Sequence, residues 1–177
     1  MKILKIVGLV IVGIIALVLI TAAFTKKDFA VKREVMINKS KQEVFDYIKY
    51  IKNQDNFSVW AKMDPEMKKE FKGTDGTVGA VASWDGEKMG QGTQTITAIK
   101  EGEQIDYTLH FIKPFEASNH AALTTTAIDS THTKVVWAYD GKMNYPMNLM
   151  MVFCDFDAMM GKDLQAGLEN LKAIEEK

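Results

Sequence analysis

The chain has 177 residues, a formal net charge of −1 at pH 7 and a single cysteine. Its lysines and arginines are scattered, which excludes the basic stripe of a nucleic-acid-binding protein, and we expect no nucleic-acid partner. One cysteine excludes an internal disulfide and a cysteine-based metal site. The three histidines lack the spacing of metal ligands, so we predict neither a metal nor a cofactor.

The N-terminal segment is an apolar run over residues 6–24 that contains no charged side chain. A helix of that length would be about 28 Å long, close to the roughly 30 Å hydrocarbon core of a bilayer. Two lysines precede the run, and Lys26 and Lys27 follow it. We therefore predict a single-pass transmembrane helix and a short link within residues 1–27, with membrane contact through residues 6–24.

Two alternatives remain for this run. One is a signal peptide cleaved near Ala22, although the apolar region exceeds the usual length of about 7 to 15 residues. The other is a helix buried in a soluble core. For an anchored chain the predicted location is the cell membrane. The lysine count slightly favours a cytoplasmic domain, whereas a short basic N-terminus ahead of a long domain favours the extracytoplasmic side, to which we lean.

Residues 28–177 have the size of one domain with its own core. Alternating apolar residues over residues 29–37 predict a strand. Ser40 and Glu43 then have the spacing of a capping box, and apolar residues at helical spacing predict a helix that runs to about Ile51. A second, short helical turn should follow it.

The central part of the chain alternates between strands and turns without an intervening helix, which indicates antiparallel, sequential pairing. Tyr107, Leu109 and Phe111 belong to the clearest alternation. Six strands are predicted there, over residues 68–72, 77–84, 93–100, 105–111, 116–128 and 133–140.

The last element is predicted as one long helix from Pro146 to Lys177, about nine turns at 3.6 residues per turn. Its apolar side chains share one stripe that extends from Met150 through Cys154 to Leu171. Strands followed by a long helix are an α+β arrangement. A sheet of this many strands curls, and a curled sheet around one helix tends to leave a space between them.

Three segments together resemble a known superfamily. They are the strand-to-helix run VMINKSKQEVFDYI (35–48), the segment TVGAVASWDGEKMGQGTQTI (77–96) and the long terminal helix. The chain resembles the START-like or Bet v 1-like (SRPBCC) superfamily and, within it, the polyketide cyclase/dehydrase and lipid-transport group. The resemblance implies a helix-grip fold over residues 28–177, with a curved antiparallel sheet around the C-terminal helix. It implies ligand binding and supplies no catalytic residues, since the superfamily has no universal catalytic motif.

In such a fold the cavity would lie between the sheet and the C-terminal helix. Methionines crowd the beginning of that helix, and methionine adapts to varied apolar shapes, although ordinary core filling would also explain them. We predict that ten residues bind the ligand: Trp84, Tyr107, Leu109, Phe111, Trp137, Tyr139, Met147, Met150, Cys154 and Asp157.

Asp157 differs from the other candidates because it is a carboxylate within the apolar stripe of the last helix. Such a group is costly unless it is paired or protonated. It could hydrogen-bond a polar ligand head, or act as a general acid or base with a raised pKa. Alternatively, it meets a local partner or water.

Three functions are compatible with these residues. The leading hypothesis is membrane-anchored binding of an apolar small molecule, such as a lipid or a polyketide-like compound. The second is a cyclase or dehydratase that uses Asp157 with a nearby tyrosine or histidine, which requires converging titratable groups; we lean away from an enzyme. The third is a partner-binding module, with a filled core and an exposed apolar patch.

Overall fold

The computed structural model describes residues 2–177. The helices are α1 (Lys2–Phe24), α2 (Lys41–Ile48), α3 (Gln54–Phe57), α4 (Trp60–Met63), α5 (Met150–Phe153) and α6 (Phe156–Glu175). The strands are β1 (Asp28–Ile37), β2 (Lys68–Lys72), β3 (Val81–Gly86), β4 (Gly90–Lys100), β5 (Gln104–Lys113), β6 (Ala117–Ala127) and β7 (Thr133–Lys142). Two 3₁₀ turns, Ile51–Asn53 and Met147–Leu149, precede α3 and α5.

Within the described residues, seven strands form one antiparallel sheet in the order β1-β7-β6-β5-β4-β3-β2. Helix α6 packs across β1 and β7. The predicted α+β class and helix-grip fold are therefore confirmed. Alternate strand residues such as Ile105, Leu123 and Val135 are fully buried on the inner face, which is where apolar residues of period two must lie when one face covers the core.

Helix α2 begins at the predicted capping box. The Ser40 hydroxyl accepts from the Glu43 amide at 3.4 Å, and the Glu43 carboxylate accepts from the Ser40 amide at 3.1 Å. The helix ends at Ile48, earlier than predicted, because the chain becomes extended at Tyr50 and the amides that follow it bind a side chain. The amides of Ile51 and Lys52 donate to the Asp75 carboxylate at 2.8 and 3.2 Å.

The prediction of one continuous helix from Pro146 is wrong. Cys154 has φ −123° and ψ 138°, which is an extended conformation that separates α5 from α6. Asp155 then caps α6, and its carboxylate accepts from the Ala158 amide at 2.9 Å. Because aspartate is a strong N-cap residue, it begins a new helix here instead of continuing the old one.

Helix α1 projects from the domain and is exposed along nearly all of its length. It is long and apolar enough to cross a membrane, and a signal sequence would share those properties. Ala22, near its C-terminal end, is the exception, being fully buried against the domain. The orientation of that end is therefore set by contact with the folded part.

One end of the sheet is formed by the first residues of β1, β2, β4 and β6 and the last residues of β3, β5 and β7. We call it the mouth end. Three connections leave the sheet there, over residues 87–89, 114–116 and 143–149. Helix α2 and the turns over residues 101–103 and 128–132 lie at the opposite end.

Candidate ligand-binding cavity

A cavity of about 910 Å³ lies between the inner face of the sheet and α6, with α3 and α4 along one side. Most of its lining is aromatic, aliphatic or methionine side chain. Ring pairs build two of its walls: Trp84 meets Phe111 edge-on at 5.7 Å between centroids, and Trp60 meets Trp137 at the same separation. The walls are therefore apolar and partly rigid.

Seven of the ten predicted ligand-binding residues line this cavity: Trp84, Leu109, Phe111, Trp137, Tyr139, Met147 and Met150. They come from three strands, β3, β5 and β7, and from the connection between β7 and α6. The structure thus brings them together around one space, and their contact with a ligand stays a prediction.

Tyr107 does not line the cavity. It shares the inner face with Leu109 and Phe111, but it is fully buried in the packed core. Burial raises the pKa of its hydroxyl, so the group stays protonated. Strand alternation correctly predicts which face of the sheet this side chain lies on. It does not predict whether the side chain is packed in the core or borders the cavity.

Cys154 and Asp157 also lie outside the cavity. Cys154 is exposed in the break between α5 and α6. The Asp157 carboxylate pairs with the Arg33 guanidinium of β1, at 2.8 Å from Nη2 and 3.3 Å from Nη1. Hydrogen bonding to Arg33 lowers the pKa of Asp157, which is opposite to the raised pKa that the general acid–base interpretation requires. Of the two interpretations of Asp157, the local partner fits the structure.

Asn119 and Tyr139 form a polar pair within the apolar lining. The Asn119 amide Nδ2 donates to the Tyr139 hydroxyl at 2.7 Å, and both residues border the cavity. Burial raises the pKa of Tyr139, so its hydroxyl is neutral. Gly141 makes room for this arrangement, because a Cβ atom there would collide with the Asn119 amide group.

The sequence analysis missed several lining residues. Phe29 and Asn119 border the cavity, as do Met67 and Met89. A usable signal existed for Asn119, since it is a polar residue in phase with buried apolar neighbours on its strand. The methionines come from distant segments, and only the folded sheet shows that they meet.

Charged side chains border the cavity at its edge. The Lys69 ammonium pairs with the Asp55 carboxylate at 2.7 Å, and Lys142 pairs with Asp28 at 3.6 Å at the mouth end. Among residues 2–177, no group of three histidine, cysteine, aspartate or glutamate side chains is arranged to hold a metal ion. The absence of a cofactor stays a prediction.

Comparison with solved structures shows the same fold in other proteins. A protein from Nitrosospira multiformis matches with a TM-score of 0.61 and 18% identity, over 84% of this chain and 97% of that one. The Zhui aromatase/cyclase from Streptomyces sp. R1128 has a TM-score of 0.58 and 14% identity, over 84% and 94%. Norcoclaurine synthase from Thalictrum flavum, in complex with dopamine and hydroxybenzaldehyde, has a TM-score of 0.60 and 9% identity, over 86% and 90%.

A comparison with curated proteins finds no significant match. The family described as polyketide cyclase/dehydrase and lipid transport matches residues 28–176, which include every strand and α6. Both the sequence match and the shared architecture agree with the resemblance carried by the capping-box segment and the glycine-rich hairpin. The chain therefore belongs to the polyketide cyclase/dehydrase and lipid-transport family of the START-like, Bet v 1-like superfamily.

Proposed function

We propose that this protein binds an apolar small molecule, such as a lipid or a polyketide-like compound, in the cavity, and that α1 anchors it to a membrane. The observation that carries the proposal is the cavity itself. Its volume of about 910 Å³ lies within the roughly 300–1,000 Å³ that is usual for small-molecule sites. An apolar space of this size, left between a sheet and its helix, favours occupation over close packing.

The composition of the walls supports an apolar ligand whose shape can vary. Methionines from three parts of the chain border the cavity: Met67, Met89, Met143, Met147, Met150 and Met160. Methionine has three rotatable bonds and a polarisable sulfur, so such walls adapt to different apolar surfaces. The hydrogen-bonded pair Asn119–Tyr139 adds a polar point at which a ligand hydroxyl or carbonyl could be oriented.

The anchor rests on the composition and exposure of α1. Its apolar side chains face outward in every direction, and a helix that is hydrophobic all round requires an apolar medium. Lys26 and Lys27 follow directly, where lysines commonly flank a membrane span.

Proteins of this fold hold small organic molecules: norcoclaurine synthase is known in complex with dopamine and hydroxybenzaldehyde. That likeness supports ligand binding here at the level of the fold. Catalysis by Asp157 is not part of the proposal, because Arg33 neutralises it outside the cavity. A partner-binding module with a filled core is likewise not favoured, since the interior is not filled.

Native mass spectrometry of the full chain, released from detergent micelles, tests the proposal. Two adjacent β6 residues provide matched variants: Ala117 lines the cavity, whereas Ser118 is exposed on the outer face. The wild-type protein should carry an adduct of discrete mass, Ala117→Trp should lose it, and Ser118→Trp should keep it. Lipids bound around α1 would appear in the spectra of all three proteins, so they would not affect the comparison between the variants.

Equal adducts in both variants, each with an intact unfolding transition, would overturn ligand binding in the cavity. The absence of any adduct from the wild-type protein would do the same, provided that lipid is present during purification. For the anchor, the test is extraction of host membranes with alkaline carbonate. Release of the full chain into the soluble fraction would contradict it.

A further inference from the structure

The mouth end of the sheet is the end to which α1 is joined. Asp28, the first residue of β1, pairs with Lys142, the last residue of β7, and α1 ends at Phe24. The link over residues 25–27 can span at most about 10 Å. The connections that surround the cavity opening therefore lie within a short distance of the end of the apolar helix.

Hydrogen bonds fix α1 to the wall of the cavity. The Asn148 amide Nδ2 donates to the main-chain oxygens of Ala22 and Thr25 at 2.7 and 3.1 Å, and Asn148 and Ala22 are both fully buried. The Met143 amide also donates to the Lys27 oxygen at 2.8 Å. Because Met147 beside Asn148 lines the cavity, one short turn contacts the helix and the cavity together.

Large apolar side chains are exposed around the opening. We call them the rim: Phe115, Tyr145, Met150, Val152 and Phe153. Phe115 is 61% exposed and Phe153 is 74% exposed. Phe115, Tyr145 and Met150 also border the cavity. Several large apolar side chains exposed near one opening are unusual on a soluble monomer and mark a contact with a protein or a membrane.

We infer that the rim contacts the bilayer that holds α1, and that the cavity exchanges its apolar occupant directly with that bilayer. The inference rests on the proposed function for both the anchor and the occupant. Continuity with α1 argues for lipid over a protein partner. Phe24 at the helix end is 88% exposed, and the short link that follows α1 leads to the same end of the sheet as the rim. Lys26 and Lys27 add positive charge beside it, where headgroups of anionic lipids would lie.

The lone cysteine provides a test on the full chain. Cys154 is exposed and adjacent to Phe153, so an environment-sensitive fluorophore attached to it reports on the rim. The labelled protein is reconstituted into vesicles of phosphatidylcholine with or without bromine on the acyl chains. We expect a blue-shifted emission and quenching by the brominated lipid.

The matched control moves the label to the opposite end of the sheet. Ser130 is exposed in the turn between β6 and β7, and Ser130→Cys combined with Cys154→Ser gives one label there. This label should remain unquenched. Equal quenching at the two positions, or none at Cys154, overturns the membrane contact.

A second pair of variants shows whether the rim side chains cause the contact. Phe115→Ser combined with Phe153→Ser should lose the quenching at Cys154, because it removes the two most exposed rings of the rim. Both rings lie outside the core, so the fold should stay intact. Ile128→Ser, which changes an exposed apolar residue at the opposite end, should not. Quenching that survives the double change also overturns the inference.

The outcomes separate this inference from the proposed function. An unquenched Cys154 label on a protein that carries the cavity adduct contradicts the membrane contact alone. A quenched label on a protein without the adduct contradicts ligand binding alone. For exchange itself, excess acceptor vesicles of deuterated lipid should deplete the original adduct, with replacement by deuterated lipid if the occupant is a lipid. An adduct whose mass and amount stay unchanged would overturn direct exchange.

Discussion

The indole ring of Trp137 occupies the space that a side chain at position 167 would need. A Cβ atom on Gly167 would lie 2.7 Å from the ring carbon Cζ3. Trp137 is buried on β7 and also packs edge-on against Phe57, at 5.6 Å between centroids. The missing side chain of Gly167 therefore lets α6 close onto the sheet beside the cavity.

Replacing Gly167 by alanine should destabilise the domain. Alanine favours a helix interior by about 1 kcal/mol over glycine, but overpacking a tight core contact costs about 1–3 kcal/mol. Because a shift of the Trp137 ring would disturb its edge-on packing against both Phe57 and Trp60, we expect a net loss and a lower Tm. Thermal unfolding followed by tryptophan fluorescence measures it, with Lys162→Ala on the exposed side of α6 as the control. A Tm equal to or above that of the wild-type protein would contradict this packing.

Strand alternation was sufficient to place Leu109, Phe111, Trp137 and Tyr139 on the inner face, since side-chain direction in a strand repeats every two residues. It could not show that Tyr107, on the same face, is packed in the core and does not border the cavity. Whether an inner-face residue is packed or borders a cavity depends on the helices that cover it, and those helices are remote in sequence.

The position of Asp157 shows a different limit. Arg33 on β1 and Asp157 on α6 are both charged residues at positions of apolar phase, and each is explained by the other. A single sequence gives no direct sign that the two meet. The break at Cys154 has a visible signal in the sequence, because Asp155 is a typical N-cap residue. The prediction of one continuous helix used apolar periodicity alone, which does not detect such a break.

Breaking the Asn119–Tyr139 hydrogen bond should lower the free energy of unfolding, because it leaves a buried amide without an acceptor. Tyr139→Phe removes the acceptor of the Asn119 amide, and an unsatisfied buried group costs about 1–3 kcal/mol. Adding Asn119→Leu removes the stranded amide, so the double variant should recover most of the lost stability. Chemical denaturation of the three proteins measures this. A double variant less stable than Tyr139→Phe alone would indicate that the pair contributes mainly through packing.

His120 lies on the outer face of the sheet between two carboxylates. Its Nδ1 is 2.8 Å from the Asp140 carboxylate and its Nε2 is 3.1 Å from that of Asp106. The hydrogen bond with Asp140, supported by Asp106, raises the pKa of His120 above its usual value of 6.5. The imidazolium form is therefore favoured in the folded protein.

Stability should depend on pH through His120. Because its pKa is higher in the folded state, its contribution is complete below the unfolded value and is lost as the pH rises through the folded value. The half-exposed site keeps the effect modest. The Tm difference between the wild-type protein and His120→Gln should be larger at pH 6 than at pH 8.5, and Asp140→Asn should remove most of that dependence. A difference independent of pH would contradict the assignment.

The contact between Asn148 and α1 can be measured by proteolysis. Asn148→Ala removes two hydrogen bonds of about 0.5–1.5 kcal/mol each, so the link should open more often and trypsin should cleave after Lys26 or Lys27 roughly tenfold faster. Asn170→Ala is the matched control, since Asn170 donates to the Phe57 oxygen at 2.9 Å far from the link. Equal cleavage rates in the two variants would show that Asn148 does not hold the helix.

Under the proposed membrane anchor, the position of the cavity opening beside α1 determines the reference state for the proposed occupant. A molecule that passes from a bilayer into this interior exchanges one apolar medium for another, so the hydrophobic effect, a transfer out of water, nearly cancels. Partition between the two then depends on shape and on whether a polar group meets the Asn119–Tyr139 pair. Affinities measured for transfer from water would rank compounds by their hydrophobicity. Competition against a bilayer would rank them by how well their shape and polar groups match the cavity.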